Sequence, residues 1–233
     1  MTTADSPHRA DEWTAAVRQR LGLGRLLPLG GPADGAWISE RAAVAVLRRA
    51  TGAPGPGPVL GDVRIAVADP DAAPRPALPA PPSALPPGPL RIEATMSATA
   101  EQPLPAAAAA LRSALLTAAA ERLGLVVGEV DLRVTELLDA APERPVPEAA
   151  AVRAVEPEGT AGTAAAGVPG VAALTRVLGS AVHTGPDHVR VELATTADHR
   201  ALDVVRAVRT AVADAVDGHP PVTVLVTAVV EDG

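Results

Sequence analysis

The sequence predicts an α+β fold that consists of two copies of one small two-layer unit. Two observations lead to this prediction: a hairpin–helix–strand series in the last third of the chain, and a longer, interrupted version of the same series upstream. In each copy the predicted order is helix, β-hairpin, helix and strand. That order gives a three-stranded mixed sheet covered by helices on one face.

The second copy, residues 168–231, carries the clearer pattern. Residues 188–193 alternate between polar and apolar side chains, which is typical of a half-buried strand. Residues 179–184 predict a weaker strand, and the Gly-Pro-Asp sequence between the two runs predicts a turn. The two runs therefore predict a β-hairpin.

A helix and a closing strand follow this hairpin. Apolar residues recur at helical spacing over residues 201–216, with Asp198 as the predicted N-cap and Gly218 as the left-handed stop. Residues 222–230 are rich in valine and apolar on nearly both faces, which predicts an interior strand. A strand–helix–strand connection places this strand parallel to the strand before the helix.

The first copy, residues 36–138, shows the same series with an interruption. Residues 37–50 predict a helix capped by Ser39, and residues 63–67 predict a short strand. Residues 69–89 are a proline-rich insert, for which we expect a stiff, solvated polyproline II segment.

After the insert, three short runs match the second copy in order and in residue class. The matching pairs are residues 90–93 with 189–192, residues 111–115 with 208–212, and Val130 with Val222. We interpret this agreement as an internal duplication. Duplicated domains often associate as an intramolecular pseudo-dimer, and association between chains is the alternative.

The remaining segments flank or connect the two copies. Residues 1–12 are polar and predicted to be disordered. Residues 13–35 predict an N-terminal helix and turn, which either packs on its own domain or docks on a partner. Residues 139–167 are rich in Pro, Ala and Glu, and predict a linker.

Composition narrows the range of functions. The chain of 233 residues contains neither cysteine nor lysine, and its formal net charge is −7. Thiol nucleophiles, disulfides, Schiff-base lysines and P-loop lysines are therefore excluded, and the net charge opposes nucleic-acid binding. No apolar run approaches membrane-spanning length, so we expect a cytoplasmic protein without direct membrane insertion.

One group of histidines is a weak candidate for a metal site. His183 and His188 flank the predicted hairpin turn beside Asp187, and His199 lies near the start of the following helix. The simpler interpretation is a set of ordinary polar residues at exposed turns, because the first copy has no histidines at the corresponding positions. We predict no catalytic residue and no cofactor.

The outer face of the second copy is the predicted partner surface. Leu225 takes the outward position that Arg133 holds in the first copy, and an apolar residue there indicates a contact with a partner or with the first copy. Arg190 and Glu192 would lie beside it on the neighbouring strand. Further residues of this predicted surface lie on the N-terminal helix, namely Trp13 and Val17.

Four runs in this chain resemble the alkaline shock protein family of Gram-positive bacteria. They are Val-Pro-Gly-Val at residues 168–171, the helix ALDVVRAVRTAV at 201–212, the strand VTVLVTAVV at 222–230 and the helix WISERAAVAVLRRA at 37–50. The chain is also similar to a two-copy actinobacterial group of this type that has been labelled after a nucleopolyhedrovirus protein.

The resemblance implies a non-enzymatic envelope stress-response protein. Such a protein is cytoplasmic and is held near the membrane by a small membrane-anchored protein partner. Two alternatives stay open from the residues: a nucleic-acid-binding regulator, against which the charge argues, and a histidine-based metal-binding protein.

Overall fold

The computed structural model describes residues 23–52, 57–140, 152–185 and 188–231, and within them the fold is α+β. The strands are β1 (Leu26–Pro28), β2 (Ala36–Ser39), β3 (Val59–Val67), β4 (Leu90–Thr99), β5 (Val127–Leu138), β6 (Val171–Leu174), β7 (Val182–Thr184), β8 (Val189–Thr196) and β9 (Val222–Val230). The α-helices are α1 (Glu40–Thr51), α2 (Leu104–Ala118), α3 (Gly159–Ala166) and α4 (Ala201–Ala215).

The first sheet confirms the predicted three-stranded mixed arrangement. Strand β4 lies in the middle, antiparallel to β3 and parallel to β5. Helix α2 connects β4 to β5 and is extended by a π-helical turn, Ala119–Leu123. Gly124, with φ of 87°, ends that turn in the left-handed conformation that glycine adopts without strain.

The second sheet contains the predicted hairpin, helix and parallel closing strand, and it is larger than predicted. Strands β7 and β8 form the hairpin, and β9 lies parallel to β8. Strand β6 pairs with the C-terminal end of β8. Strand β2 pairs with the other edge of β9, and β1 pairs with the outer edge of β2. The described part of this sheet therefore has six strands.

Both units share the series hairpin, helix and parallel closing strand, and an equivalent contact supports the match. On α2, the Nε atom of Arg112 donates to the carbonyl oxygen of Val130 at 3.2 Å. On α4, the Nε atom of Arg209 donates to the carbonyl oxygen of Val222 at 2.8 Å. The matching runs of the sequence pair these two arginines, although common descent of the two units stays a prediction.

The closing strands, however, are offset by two residues from the sequence match. In the first sheet Ile92 lies opposite Val130, and in the second sheet its equivalent, Val191, lies opposite Val224. By strand register, Val130 therefore corresponds to Val224, whereas the two arginine contacts equate it with Val222. An offset of two residues keeps every side chain on its predicted face, because side chains alternate along a strand.

The two units share one apolar core. Buried residues from both sheets and from α1, α2, α3 and α4 belong to a single cluster. Helix α1 packs against both α2 and β9. At one end of this interface the N–H of Gly30 donates to the carbonyl of Gly124 at 3.0 Å, and Arg200 donates to the carbonyl of Ala120 at 2.9 Å.

Several predicted boundaries were wrong. Trp37 lies on β2, and helix α1 begins at Glu40, although Ser39 does cap it through the N–H of Ala42 at 3.1 Å. Arg200, not Asp198, is the N-cap of α4. Gly218 does adopt the predicted left-handed conformation, with φ of 83°, but it is not the stop of α4, which ends at Ala215 with Val216 as its extended C-cap.

The segments flanking the two copies also differ in part from the predictions. The predicted linker contains α3, and Val155 pairs with Leu174 in an isolated bridge. The end of the predicted N-terminal helix is strand β1. The predicted disordered residues 1–12, and the first part of that helix, lie outside the described residues.

The proline-rich insert is solvated only in its first part: residues 69–80 are exposed or half-buried, whereas the segment around Ala84 and Leu85 packs on the second sheet. Ala84 forms a bridge with Leu26, and the N–H of Leu85 donates to the Leu26 carbonyl at 2.8 Å. The carbonyl of Leu85 accepts from the indole N–H of Trp37 at 3.4 Å. The insert therefore runs along β1 and covers an edge of the second sheet, which would otherwise expose unpaired backbone groups.

The carboxylates of Asp34 and Glu40 connect the β1–β2 region to the rest of the fold through hydrogen bonds. Burial alone would raise the pKa of Asp34, but hydrogen bonds from Arg206 and from the N–H of Gly31 outweigh it and hold the pKa below its usual value. Burial likewise would raise the pKa of Glu40, but hydrogen bonds from Arg25 and from the backbone N–H of Ile65 outweigh it, so this pKa is also lowered.

We expect these two carboxylates to make the protein less stable in acid. Because each pKa is lower in the folded protein than in the unfolded chain, the unfolded chain binds more protons in acid. The stabilisation by these carboxylates is therefore present above their usual pKa values, 3.8 for Asp34 and 4.5 for Glu40. It is lost as the pH falls through the lower pKa values of the folded protein. Urea unfolding between about pH 5 and about pH 2 should show this loss. The Asp34→Asn, Glu40→Gln double variant should be less stable at pH 7 and should lose less on acidification. An equal loss in both proteins would contradict this assignment.

Candidate interaction surface

The predicted partner surface around Leu225 is buried inside the protein. Leu225 has 0% of its surface exposed and belongs to a small apolar cluster with Leu23, Leu26 and Trp37. Trp37 reaches it because β2 pairs with β9, so that Trp37 lies level with Leu225. The predicted exposure is therefore wrong: the contact that the apolar residue indicated is made by Trp37 of the first copy.

Arg190 and Glu192 also lie on this covered face of the second sheet. Glu192 is fully buried, and its Oε2 atom accepts from the N–H of Leu178 at 2.9 Å. An Nη atom of Arg190 lies 3.6 Å from the Oε1 atom of Glu192. The segment before β7 and the proline-rich insert cover this face, so these residues stabilise the fold. Trp13 and Val17, the other residues of this predicted surface, lie outside the described part of the chain.

The three candidate histidines are not brought together. His183 lies on β7 opposite Arg190, and His188 follows the hairpin turn. His199 lies beyond the other end of β8, where its Nδ1 atom contacts the carboxylate of Asp198 at 2.8 Å. The length of β8 separates His199 from the other two. Residues 186–187 of the turn are not among the described residues, and in the described ranges no three metal-ligating side chains form a group.

A different surface, the outer edge of β5, was not among the predicted sites. Strand β5 has 12 residues and pairs only with β4 in the described ranges. Edge strands of monomeric proteins usually carry a protective feature such as proline, an inward-pointing charge or a covering segment. Strand β5 contains no proline, and its inward positions are apolar. Strand β5 does carry charged side chains and two register shifts against β4, so its regular open edge is limited to residues 129–134, between the two shifts.

Exposed large apolar side chains lie along this strand and on the neighbouring helix. Among the described residues, the large apolar side chains with the highest exposure are Leu116 (36%), Val126 (49%), Val134 (39%) and Leu137 (62%). They are spread along the length of β5 and on α2, and no described element covers them. Exposed apolar side chains beside an unpaired strand edge are compatible with an interaction site.

Helix α2 extends the patch beyond the strand. In residues 104–118 Arg112 is the single charged side chain, whereas most surface helices carry several. Arg112 reaches the carbonyl of Val130, and Leu116 lies one turn further along the same side of the helix. We call Arg112, Leu116, Val134, Leu137 and the outer edge of β5 the open-edge surface.

The outer face of the first sheet carries charges in a defined pattern along β5. The Nε atom of Arg91 lies 2.7 Å from a carboxylate oxygen of Glu129 and 3.0 Å from one of Asp131. These are charge pairs between neighbouring strands, because Arg91 lies on β4 and both carboxylates lie on β5. Arg133 is exposed and forms no ion pair with any described residue.

The open-edge surface can bind a protein strand, because it offers backbone hydrogen bonds, apolar side chains and charges in alternation. A sequence signal for it existed in the alanine-rich helix with a single charge, followed by a strand with polar residues on one face only. No described helix has the length and apolar character needed to span a bilayer. Scans against protein-family models, curated proteins and solved structures each find no match to this chain.

Proposed function

We propose that this chain is a non-enzymatic scaffold or interaction protein of the envelope stress-response type. It acts near the cytoplasmic face of the membrane and is held there by a protein partner with its own membrane anchor. The observation that carries the proposal is the open-edge surface, a long strand edge with exposed Leu116, Val134 and Leu137. In the part of the chain that the structure describes, the two apolar clusters are covered by the protein's own segments.

Two further observations support this proposal. The runs at residues 168–171, 201–212 and 222–230 resemble the alkaline shock protein family, whose members have this type of role. The partner surface that the sequence predicted around Arg190 and Glu192 is covered by the protein itself, so it is not accessible to a partner. Protein contact at a strand edge is the activity that the accessible geometry favours.

Affinity capture from the producing cell's own membranes tests the proposal. We expect tagged protein to recover a small protein with a membrane-spanning segment. The double variant Leu116→Lys, Leu137→Lys should recover much less of it, because both side chains are exposed on the open-edge surface.

Thr117→Lys is the matched control for this experiment. Thr117 is exposed on the same helix but points away from the side that carries Arg112 and Leu116, so recovery should stay unchanged. If wild-type protein were wholly soluble and recovered no membrane protein, the proposed function would be wrong. Equal recovery by the wild type and the double variant would remove the open-edge surface from the proposal.

A further inference from the structure

We propose that the open-edge surface pairs with the same surface of a second copy of this chain, through antiparallel pairing of β5 with β5 of the partner. The pairing would join two three-stranded sheets into one continuous sheet across a twofold axis. This inference rests on the proposed function and deepens it: the open-edge surface is taken by a second copy, and the dimer, rather than the free edge of one copy, would then hold the membrane-anchored partner.

The second unit shows what the edge of a closing strand does in this fold. Strand β9 is the equivalent of β5, and its outer edge receives β2, with the N–H of Val224 donating to the carbonyl of Gly35 at 3.0 Å. Val130 corresponds to Val224 by register. Since alternate residues of a strand turn their backbone groups to opposite edges, the N–H and C=O groups of Val130, Leu132 and Val134 face the open edge. Of these groups, the C=O of Val130 already accepts from Arg112, so a partner strand would have to share that carbonyl or displace Arg112 from it.

This alternation also sets which side chains meet in a self-pairing. In an antiparallel pair the residues that exchange hydrogen bonds lie directly opposite each other. With the twofold axis at Leu132, Leu132 faces its own copy and Val130 faces Val134 of the partner subunit. These side chains lie on the inward face, where Val134 is 39% exposed and would gain cover.

The charges on the other face select the same register. With the axis at Leu132, Asp131 on each strand lies opposite Arg133 of the partner subunit, which gives two opposite-charge pairs. An axis at Asp131 pairs Glu129 with Arg133 of the partner subunit, but it also places the two Asp131 side chains opposite each other. An axis at Arg133 places the two Arg133 side chains opposite each other, and an axis at Val130 places Asp131 opposite Glu129 of the partner subunit. Of these four registers, the one centred on Leu132 forms opposite-charge pairs without any like-charge pair, and it supplies a partner for Arg133.

The helix side of the surface fits this arrangement. Arg112 reaches over the edge of β5 to the Val130 carbonyl, and Leu116 lies on the same side of α2. In the paired assembly the two copies of α2 would lie above the extended sheet on either side of the axis. Exposed alanines on α2, such as Ala106 and Ala109, permit close approach of the two helices.

A mixing experiment with two charge variants tests the pairing and its register. In a dimer of the Arg133→Glu variant, both side-chain pairs across the axis would consist of two negative charges. In a dimer of the Asp131→Arg variant, both pairs would consist of two positive charges. Each variant alone should self-associate at least roughly tenfold more weakly than wild type in sedimentation equilibrium. Mixed in equal amounts, the two variants should form a heterodimer with both opposite-charge pairs restored.

Arg64→Glu is the matched control, because Arg64 is exposed on the same face of the sheet but on β3 at the other edge. It should self-associate like wild type. A monomeric wild type over the whole concentration series would overturn the inference, and so would variants that associate as tightly as wild type or that fail to combine on mixing.

The two proposals fail in different ways. A monomeric wild type that still captures a membrane protein would overturn self-pairing and assign the edge to that other protein, and would leave the proposed function standing. A dimer that passes the mixing test but captures no membrane protein would support self-pairing and contradict the proposed location.

Discussion

Replacing Leu225 by Asp should unfold the protein at room temperature. Leu225 is fully buried beneath Trp37, and Glu192 lies opposite it on the neighbouring strand. The substitution removes a well-packed side chain and adds a buried charge next to a carboxylate. Together these effects should lower the free energy of unfolding by about 5 kcal/mol or more, which is comparable with the total stability of many domains. Circular dichroism and urea unfolding would measure the loss.

The same change on the equivalent strand of the first unit is the control. Leu137 on β5 is 62% exposed, so Leu137→Asp should change the free energy of unfolding by no more than about 0.5 kcal/mol. Leu225→Met, which keeps the volume, should cost less than about 1.5 kcal/mol. A folded Leu225→Asp protein with near-normal stability would show that the outer face of the second sheet is open in solution.

Gly124→Ala should destabilise the contact between the two units by about 2–4 kcal/mol. A Cβ atom at Gly124 would lie 2.4 Å from the Cβ atom of Leu202 on α4, in a backbone conformation with φ of 87°. The overlap involves a Cβ atom close to the backbone, which a change of rotamer does not relieve. Urea unfolding followed by far-ultraviolet circular dichroism would measure the effect.

Gly218→Ala separates the two causes of that loss. Gly218 has a φ of 83°, but a Cβ atom there would meet nothing within 4 Å. This variant should lose only the backbone strain, about 1–2 kcal/mol. If the two variants lost equal stability, the close approach of Gly124 to Leu202 would not hold in solution.

The sequence predicted those parts of the fold whose pattern is local. Helix α4 and strand β9 were predicted because a helical stripe and a valine-rich run need no partner to be recognised. Their parallel connection followed from the handedness of strand–helix–strand units. The hairpin was recognised from its alternation and its turn, although β7 is shorter than predicted.

The errors lie where distant segments decide the structure. Residues 36–39 were included in a helix because they precede one directly, but pairing with β9 draws Trp37 into the second sheet. The proline-rich insert has the composition of a solvated segment, yet its contacts with β1 cover a sheet edge. Neither β9 nor β1 is near these segments in sequence.

Contacts with distant segments also explain why the predicted partner surface around Leu225 is buried. An apolar outward residue such as Leu225 indicates that something covers it, but a sequence pattern does not say whether the cover is another segment or another molecule. By alternation from Val134, Leu137 would point outward, but a register shift in β5 brings it level with the buried Ala98. Its exposure follows from the absence of any described element over that end of β5. Burial of these two leucines depends on the neighbours of their strands rather than on the strands themselves.

Hydrogen exchange of the two closing strands, measured at a low and at a high protein concentration, tests most directly the claim that β5 is an open pairing edge. We expect the amides of β9 to be protected at both concentrations, because β8 and β2 flank that strand. The amides of Leu132 and Val134 on β5 should exchange quickly in dilute protein and become protected as the concentration rises. Equal protection of these β5 amides at both concentrations would contradict the claim.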